Sequence, residues 1–213
     1  MTFAEFTKYI PKILQQQLPG GTAHLKMAPL GRPVTLPVAE YEKLKPKKSA
    51  VMMLAYPKNA QAHIVLIKRN TYPGVHSAQI SFPGGKAEPE DKDFMATALR
   101  ETFEEVGIAQ SEIEVVMPFS EIYIPPSNFL VYPFLGLLAH EPVFAPNPAE
   151  VSEIIEMPLS VFLDESTVVE MPMQTSYSEH IMVPSFMIDG NIVWGATAMI
   201  LSELKETIKT AIK

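Results

Sequence analysis

The sequence predicts a single α/β domain built on a mixed sheet, and three observations carry that expectation. Short apolar runs of strand length alternate with helical patterns along the chain, as packed layers of sheet and helix require. No internal repeat or linker divides the 213 residues, a length of roughly one to one and a half domains at ~100–200 residues each. Hydrophobic residues make up 47% of the chain, enough to bury a core, which sets aside disorder and coiled coil.

Phe3, Phe6, Ile10, Ile13 and Leu14 recur at helical spacing, so residues 3–17 read as an amphipathic helix broken near Pro11. Residues 18–48 are rich in Pro and Gly and close on Lys43, Lys45, Lys47 and Lys48. They read as an irregular leader with one short helix around 38–44, and the lysines as a solvated run rather than a phosphate contact. The expected division is a helix and leader at 1–48, packed on a domain spanning 49–213. Residues 49–56 and 63–68 predict a strand pair about Pro57-Lys58-Asn59-Ala60. Pro83-Gly84-Gly85 is a sharp break ahead of the strongest helical pattern, at 93–106. Strands follow at 112–124 and 129–138, separated by Pro125-Pro126-Ser127-Asn128. Next come a strand at 154–157 and a short helix after Pro158. A meander at 168–174, 181–187 and 191–194, turning at Asp189-Gly190, leads to a last helix at 195–211.

Seventeen basic against 24 acidic residues give a net charge of −7, which argues against wrapping a nucleic acid. Such a chain can still bind a phosphorylated small molecule when metal ions stand between the two negative partners. With no cysteine, disulfides, thiolate metal sites and a cysteine nucleophile are excluded, and a reducing compartment is suited. No run approaches the ~18 apolar residues of a membrane span, and the opening Met1-Thr2-Phe3-Ala4-Glu5 lacks a signal-peptide pattern. A cytoplasmic protein with neither nucleic-acid nor membrane partners is expected; the sequence leaves monomer and homodimer open.

The chemistry centres on Arg100-Glu101-Thr102-Phe103-Glu104-Glu105-Val106-Gly107-Ile108. On a helix Glu101, Glu104 and Glu105 share one face. Met95, Leu99, Thr102, Phe103 and Val106 occupy the other, which is expected to be buried. Gly107 reads as a left-handed cap and Asp93 as the N-cap. Like charges at this spacing repel by ~0.2–0.5 kcal/mol per pair, and a solvated acidic face is the ordinary explanation of Glu-x-x-Glu-Glu. The Phe-Pro-Gly-Gly loop ahead of the helix and the adjacent Arg100 favour another one. Hard oxygen ligands grouped this way suit Mg²⁺ or Mn²⁺ bridging to substrate phosphates.

These residues resemble the Nudix box, Gly-x5-Glu-x7-Arg-Glu-U-x-Glu-Glu-x-Gly-U, where U is a bulky apolar residue. From Arg100 to Ile108 every fixed residue matches, with Thr102 the weak member at the first U. Toward the N-terminus the pattern departs: counting from Gly85, Asp91 replaces the first Glu, and eight residues separate it from Arg100. The resemblance implies a Nudix α/β/α sandwich with a mixed sheet, and hydrolysis of the pyrophosphate bond of a small-molecule nucleoside diphosphate derivative. It further implies Mg²⁺ or Mn²⁺ held by Glu101 and Glu105 with Glu104 assisting, and Arg100 orienting the carboxylates. Glu104, Glu150 and Glu153 contend as general base.

Upstream, Val65-Leu66-Ile67-Lys68-Arg69-Asn70 through Phe82-Pro83-Gly84-Gly85 is similar to the coenzyme A pyrophosphatase subgroup of that family. Its pattern is Leu-Leu-Thr-x-Arg-(Ser/Ala)-x3-Arg-x3-Gly-x3-Phe-Pro-Gly-Gly. Arg69 and Phe82 to Gly85 match; Asn70, Gly74 and Ala78 replace the small residue, the second arginine and the glycine. The similarity implies coenzyme A or its thioesters as substrate, cleaved to adenosine 3′,5′-bisphosphate and a phosphopantetheine, with Arg69, Phe82, Gly84 and Gly85 as substrate contacts. Hydrolases of ADP-ribose, NADH or another dinucleoside diphosphate, and a ligand-sensing module without turnover, are the rivals. His76 reads as an ordinary loop histidine, Trp194 as core, the Met-rich stretch 171–187 as packing, and Tyr123 and Phe129 as structural.

Overall fold

The structure, a computed structural model, describes residues 1–29, 38–70, 79–173 and 181–213. Three helices open the chain: α1 (Phe3–Leu14), α2 (Gly21–Leu25) and α3 (Val38–Lys43). Strands β1 (Lys47–Lys58), β2 (Gln61–Arg69), β3 (Ile80–Ser81) and β4 (Gly84–Lys86) lead to α4 (Phe94–Val106). Then come β5 (Ile113–Pro118), β6 (Ile122–Ile124), β7 (Phe129–Leu138), β8 (Val151–Pro158) and α5 (Leu159–Phe162). The chain closes with β9 (Val168–Met173), β10 (Ile181–Ile188), β11 (Asn191–Val193) and α6 (Gly195–Ile212).

The expected break at Pro11 does not occur: α1 runs through it to Leu14. Pro11 sits on the exposed side while Phe6 and Ile13 are fully buried, so packing offsets the hydrogen bond that proline removes. The start is fixed by a capping box, in which the Glu5 amide donates to Thr2 Oγ1 at 3.1 Å and the Thr2 amide to Glu5 Oε2 at 2.8 Å.

β1 is the spine of the larger sheet. It runs parallel to β7, Lys47 to Ala55 against Phe129 to Leu137, and every other ladder is antiparallel, so the sheet is mixed. The β1–β2 turn is tighter than expected: Asn59 and Ala60 alone make it, with φ of 48° and 62°, while Pro57 and Lys58 pair in the strand. Pairing between β1 and β2 stops at Ala55 and Ile64, and the two strands then part. β4 fills the open edge of β1 at Ser49–Val51, β3 fills that of β2 at Ile67–Lys68, and the Met52 amide donates to the Pro83 carbonyl at 2.8 Å. The glycine loop is therefore built into the fork of a splayed hairpin. β8 lines the outer side of β2.

Alternation along β1 and β2 divides the core. Ala50, Met52, Leu54, Tyr56, Val65 and Ile67 pack with Ala98 and Val106 of α4. Met53, Ala55, Ile64 and Leu66 pack instead with Leu201, Leu204 and Ile208 of α6 and with Phe6 and Ile13 of α1. Helices thus cover both faces, the sandwich the sequence predicts. The leader is tied to α6 by polar groups as well: buried His24 lies 3.2 Å from the Glu203 carboxylate, and Ser202 Oγ donates to the Ala23 carbonyl at 2.8 Å. Two core expectations hold only in part. Trp194 is only half-buried ahead of α6, and in the small sheet of β9 to β11 Met182 is exposed while Val183, Phe186 and Ile188 do the packing.

Candidate active site

The acidic helix is capped as its sequence predicts: Asp93 Oδ1 accepts from the Ala96 amide at 2.7 Å, and Gly107, at φ 79°, donates to the Phe103 carbonyl at 2.9 Å. Its rotation differs from the expected one. Ala98, Thr102, Glu105 and Val106 form the buried stripe, with Glu105 only 1% exposed, whereas Phe103 is 52% exposed. A carboxylate at a core position needs partners. The glycine loop supplies them: the Gly84 amide donates to Glu105 Oε2 at 2.8 Å, and Arg69 Nη1 stands 3.6 Å from Oε1.

Burial pushes the Glu105 carboxyl up to about 8, against the pull of the Gly84 amide and Arg69; the Glu101 and Glu150 charges push the same way. Burial also raises Glu101, with Arg100 opposing it and Glu104 and Glu150 adding to it. The two glycines meet different neighbours. Gly84 sits at φ 153°, where a Cβ would strike the Ala50 carbonyl and Val51, and a Cβ on Gly85 would strike the Glu101 carboxylate.

Arg100 is the hub of the acidic face. Its Nε and Nη2 donate to the two Asp91 oxygens at 3.0 Å each, Nη1 donates to Glu101 and Glu104 at 3.0 Å each, and Nη2 also reaches the Lys86 carbonyl at 3.0 Å. Asp91 additionally accepts from Thr97 Oγ1 and the Glu88 amide, both at 2.9 Å. The longer arm therefore still delivers Asp91 to Arg100, whose guanidinium holds that carboxyl well below the usual range.

Contacts thus link Glu105 to Arg69 and Gly84, and Glu101 and Glu104 to Arg100, with Gly85 against Glu101. Glu150, on the turn entering β8, adds its negative charge to those that raise Glu101 and Glu105. Glu153 is turned to Lys68 at 3.6 Å. Phe82, expected among the substrate contacts, is corrected: its ring is 1% exposed in the core on the α6 side, where it anchors the loop. Gly74, His76 and Ala78 lie outside the described residues. Thr97, the Lys86 carbonyl and Asn147, which donates to Glu150 at 3.2 Å, belong to the site without having been expected there. Of these only Asn147 carried a local signal, since Asn next to Pro marks a side-chain-capped turn.

Among the described residues no three carboxylates or imidazoles are drawn together around a single point, because Arg100 holds Glu101 and Glu104 while Glu105 is fastened to Gly84. The donor set nevertheless fits a hard divalent cation. It is all oxygen, two of its carboxyls are raised by burial and by neighbouring negative charge, and Gly85 keeps the space beside the Glu101 carboxylate clear of a side chain.

An acidic helix strapped to a glycine loop in the fork of a mixed sheet defines a class of hydrolase, and sequence comparison gives the same answer. The NUDIX domain model matches residues 46–172, more than half of the chain, which belongs to the Nudix hydrolase family. The uncharacterized Nudix hydrolase NudL of Photorhabdus laumondii is 34% identical over 146 residues, 68% of this chain and 77% of that one. Nudix hydrolase 22, chloroplastic, and Nudix hydrolase 15, mitochondrial, of Arabidopsis thaliana are 33% and 34% identical over 75% of this chain. Both are longer, and the match spans 54% and 58% of their lengths. Among solved structures, a Nudix hydrolase from M. smegmatis, RenU, superposes with a TM-score of 0.53 at 15% identity over 78% of this chain and 87% of that one, which shows the shared fold. No helix among the described residues is long and apolar enough to cross a membrane.

Proposed function

We propose that the protein hydrolyses the pyrophosphate bond of a nucleoside diphosphate derivative with Mg²⁺ or Mn²⁺, and that coenzyme A or its thioesters are the substrate. The observation that carries the reaction is the buried Glu105 carboxyl, pushed up to about 8 beside Glu101 and fastened to the glycine loop. Glu101 and Glu105, with Glu104 assisting, would hold the cation. When bound it neutralises the diphosphate and lowers the pKa of the attacking water.

The remaining work falls to the chain's own groups. Arg100 fixes the approach of Glu101 and Glu104 from one side, so neither rotates freely. Arg69 offers a buried Nε–H without an acceptor among the described residues, and a phosphate oxygen would satisfy it with a charge-assisted bond. Glu150 is assigned as the base that takes the proton from water. Its rivals Glu104 and Glu153 are engaged with Arg100 and Lys68, whereas the side-chain partner of Glu150 is a neutral amide. Support for coenzyme A comes from the match of Arg69 and of Phe82 to Gly85 to the subgroup pattern.

A panel of coenzyme A, acetyl-coenzyme A, ADP-ribose, NADH and a dinucleoside polyphosphate, assayed with each metal, tests both levels. Adenosine 3′,5′-bisphosphate and a phosphopantetheine are the expected products from the first two. Turnover of none of the five overturns the hydrolase assignment; higher kcat/KM on ADP-ribose or NADH overturns the coenzyme A assignment alone.

A further inference from the structure

The turn that carries Glu150 is braced from two sides. On one side the Asn147 amide N–H donates to the Glu105 carbonyl at 3.1 Å, next to a bond from the Ala145 amide to the Val106 carbonyl at 2.9 Å. The Asn147 carbonyl in turn accepts from the Glu150 and Val151 amides at 3.0 and 2.9 Å. Its side chain does two further things: Oδ1 accepts from the Ala149 amide at 3.1 Å, and Nδ2 donates to Glu150 Oε1 at 3.2 Å. On the other side Asn70 donates its amide N–H to the Glu150 carbonyl and its Nδ2 to the Pro148 carbonyl, both at 2.9 Å. Asn70 follows Arg69, which pairs with Glu105. The contacts close a ring from Glu105 through Asn147, Glu150, Asn70 and Arg69 back to Glu105.

We propose that Asn147 is a positioning residue that holds the Glu150 carboxylate at the Glu101–Glu105 cluster, with Asn70 as the opposing brace. A glutamate on an exposed turn has many rotamers, and a base must be held where it can reach its proton. Asn147 is suited to the task because Pro146 and Pro148 restrict the backbone on either side of it, and because its own N–H is fixed to the end of the acidic helix. The catalytic consequence rests on the diphosphate hydrolase assignment; the positioning itself does not.

The test is Asn147→Asp, which keeps the Oδ1 acceptor and every backbone bond but turns a carboxylate oxygen toward Glu150. Asn147→Ser, which keeps a short acceptor and replaces the Nδ2 donor by a hydroxyl too short to reach Glu150 from the same backbone position, serves as the second variant. Both should lower kcat about ten- to a hundredfold, the scale of a base displaced by about an ångström, with KM and Tm near wild type. In a Glu150→Gln background neither should lower kcat further, because the effect passes through Glu150. An undiminished loss in that background, or wild-type kcat in both variants, overturns the proposal. Crystal structures of wild type and Asn147→Asp give a readout without turnover, in which Glu150 should leave its place beside residue 147. An unmoved Glu150 overturns the positioning role. A wild type inactive on every diphosphate overturns the hydrolase assignment instead, and the crystal comparison still decides the positioning.

Discussion

The amide of Gly84 donates to the Glu105 carboxylate at 2.8 Å, joining the glycine loop to the acidic helix across 21 residues of chain. That bond explains why the helix hides a glutamate and shows a phenylalanine. A buried carboxylate left without a donor is penalised by about 1–3 kcal/mol or more, so the rotation that seats Glu105 is stable only with the loop in place.

The two glycines should respond differently to a methyl group. Gly84→Ala forces an L residue to φ 153° against the Ala50 carbonyl, and a loss of about 1–3 kcal/mol is expected. That lowers Tm by roughly 2–4 °C per kcal/mol for a chain of this size. Gly85 has no such backbone constraint, and the neighbour of its added Cβ is the Glu101 carboxylate. Gly85→Ala should therefore keep Tm near wild type while kcat falls at least about tenfold, the effect of a displaced catalytic group. Equal effects of both on Tm would show that position 85 constrains the fold rather than Glu101.

Glu101→Gln and Glu105→Gln should each fold and lose orders of magnitude in turnover. Either change removes a charge from the proposed cation face but leaves Ala98, Thr102 and Val106 packed against the sheet. Near wild-type turnover by either variant at saturating Mg²⁺ would remove that residue from the cation site.

Glu105 also fixes a pH dependence in metal-free protein. Its carboxyl is raised from an ordinary 4.5 to about 8, so the folded chain binds this proton more tightly than the unfolded one. The contribution to stability is complete below 4.5, declines as pH rises toward 8, and is gone above it. Asp91, held low by Arg100, runs the other way, and its contribution is lost only in acid. Urea unfolding with EDTA at pH 5, 7 and 9 should show stability falling over this interval in wild type and a flatter profile in Glu105→Gln. An unchanged slope in the variant would assign the dependence to another group.

Local spacing is enough to read much of this molecule, and its limits are physical. The acidic helix and both its caps were legible because a cap is a relation among residues three or four apart. Its rotation was not: stripes through Phe103 and through Glu105 both satisfy a helical period, and the choice is made by Gly84, far away in sequence. Asp91 could be counted but not placed, since only the path of the loop brings both its oxygens to Arg100. The parallel pairing of β1 with β7 and the His24–Glu203 contact join segments far apart in the chain, and no local pattern announces them. Phe82 matched a motif yet points into the core, because a motif records a position and not the direction of its side chain.

Asp91 gives the last test. It bonds Arg100 through both oxygens and accepts from Thr97 and Glu88 as well, with a side chain only 7% exposed. Asn at this position supplies one acceptor and one donor, so one of the two bonds to Arg100 is lost and a donor is set against the guanidinium. A loss of about 1–3 kcal/mol of stability is expected from the bonds alone. The functional effect follows from where Arg100 goes next. Freed from Asp91, the guanidinium has Glu101 and Glu104 as its remaining carboxylate partners, and a tighter grip on them competes directly with a cation. Asp91→Asn should therefore raise the Mn²⁺ concentration needed for half-maximal binding, read by the loss of the free-ion resonance signal, and not merely lower Tm. Asp91→Glu should do the same. The arm already carries one residue more than the family pattern, and an added methylene overshoots a bidentate geometry set at 3.0 Å. Unchanged Mn²⁺ binding in both variants, with Tm reduced, would confine Asp91 to holding the loop.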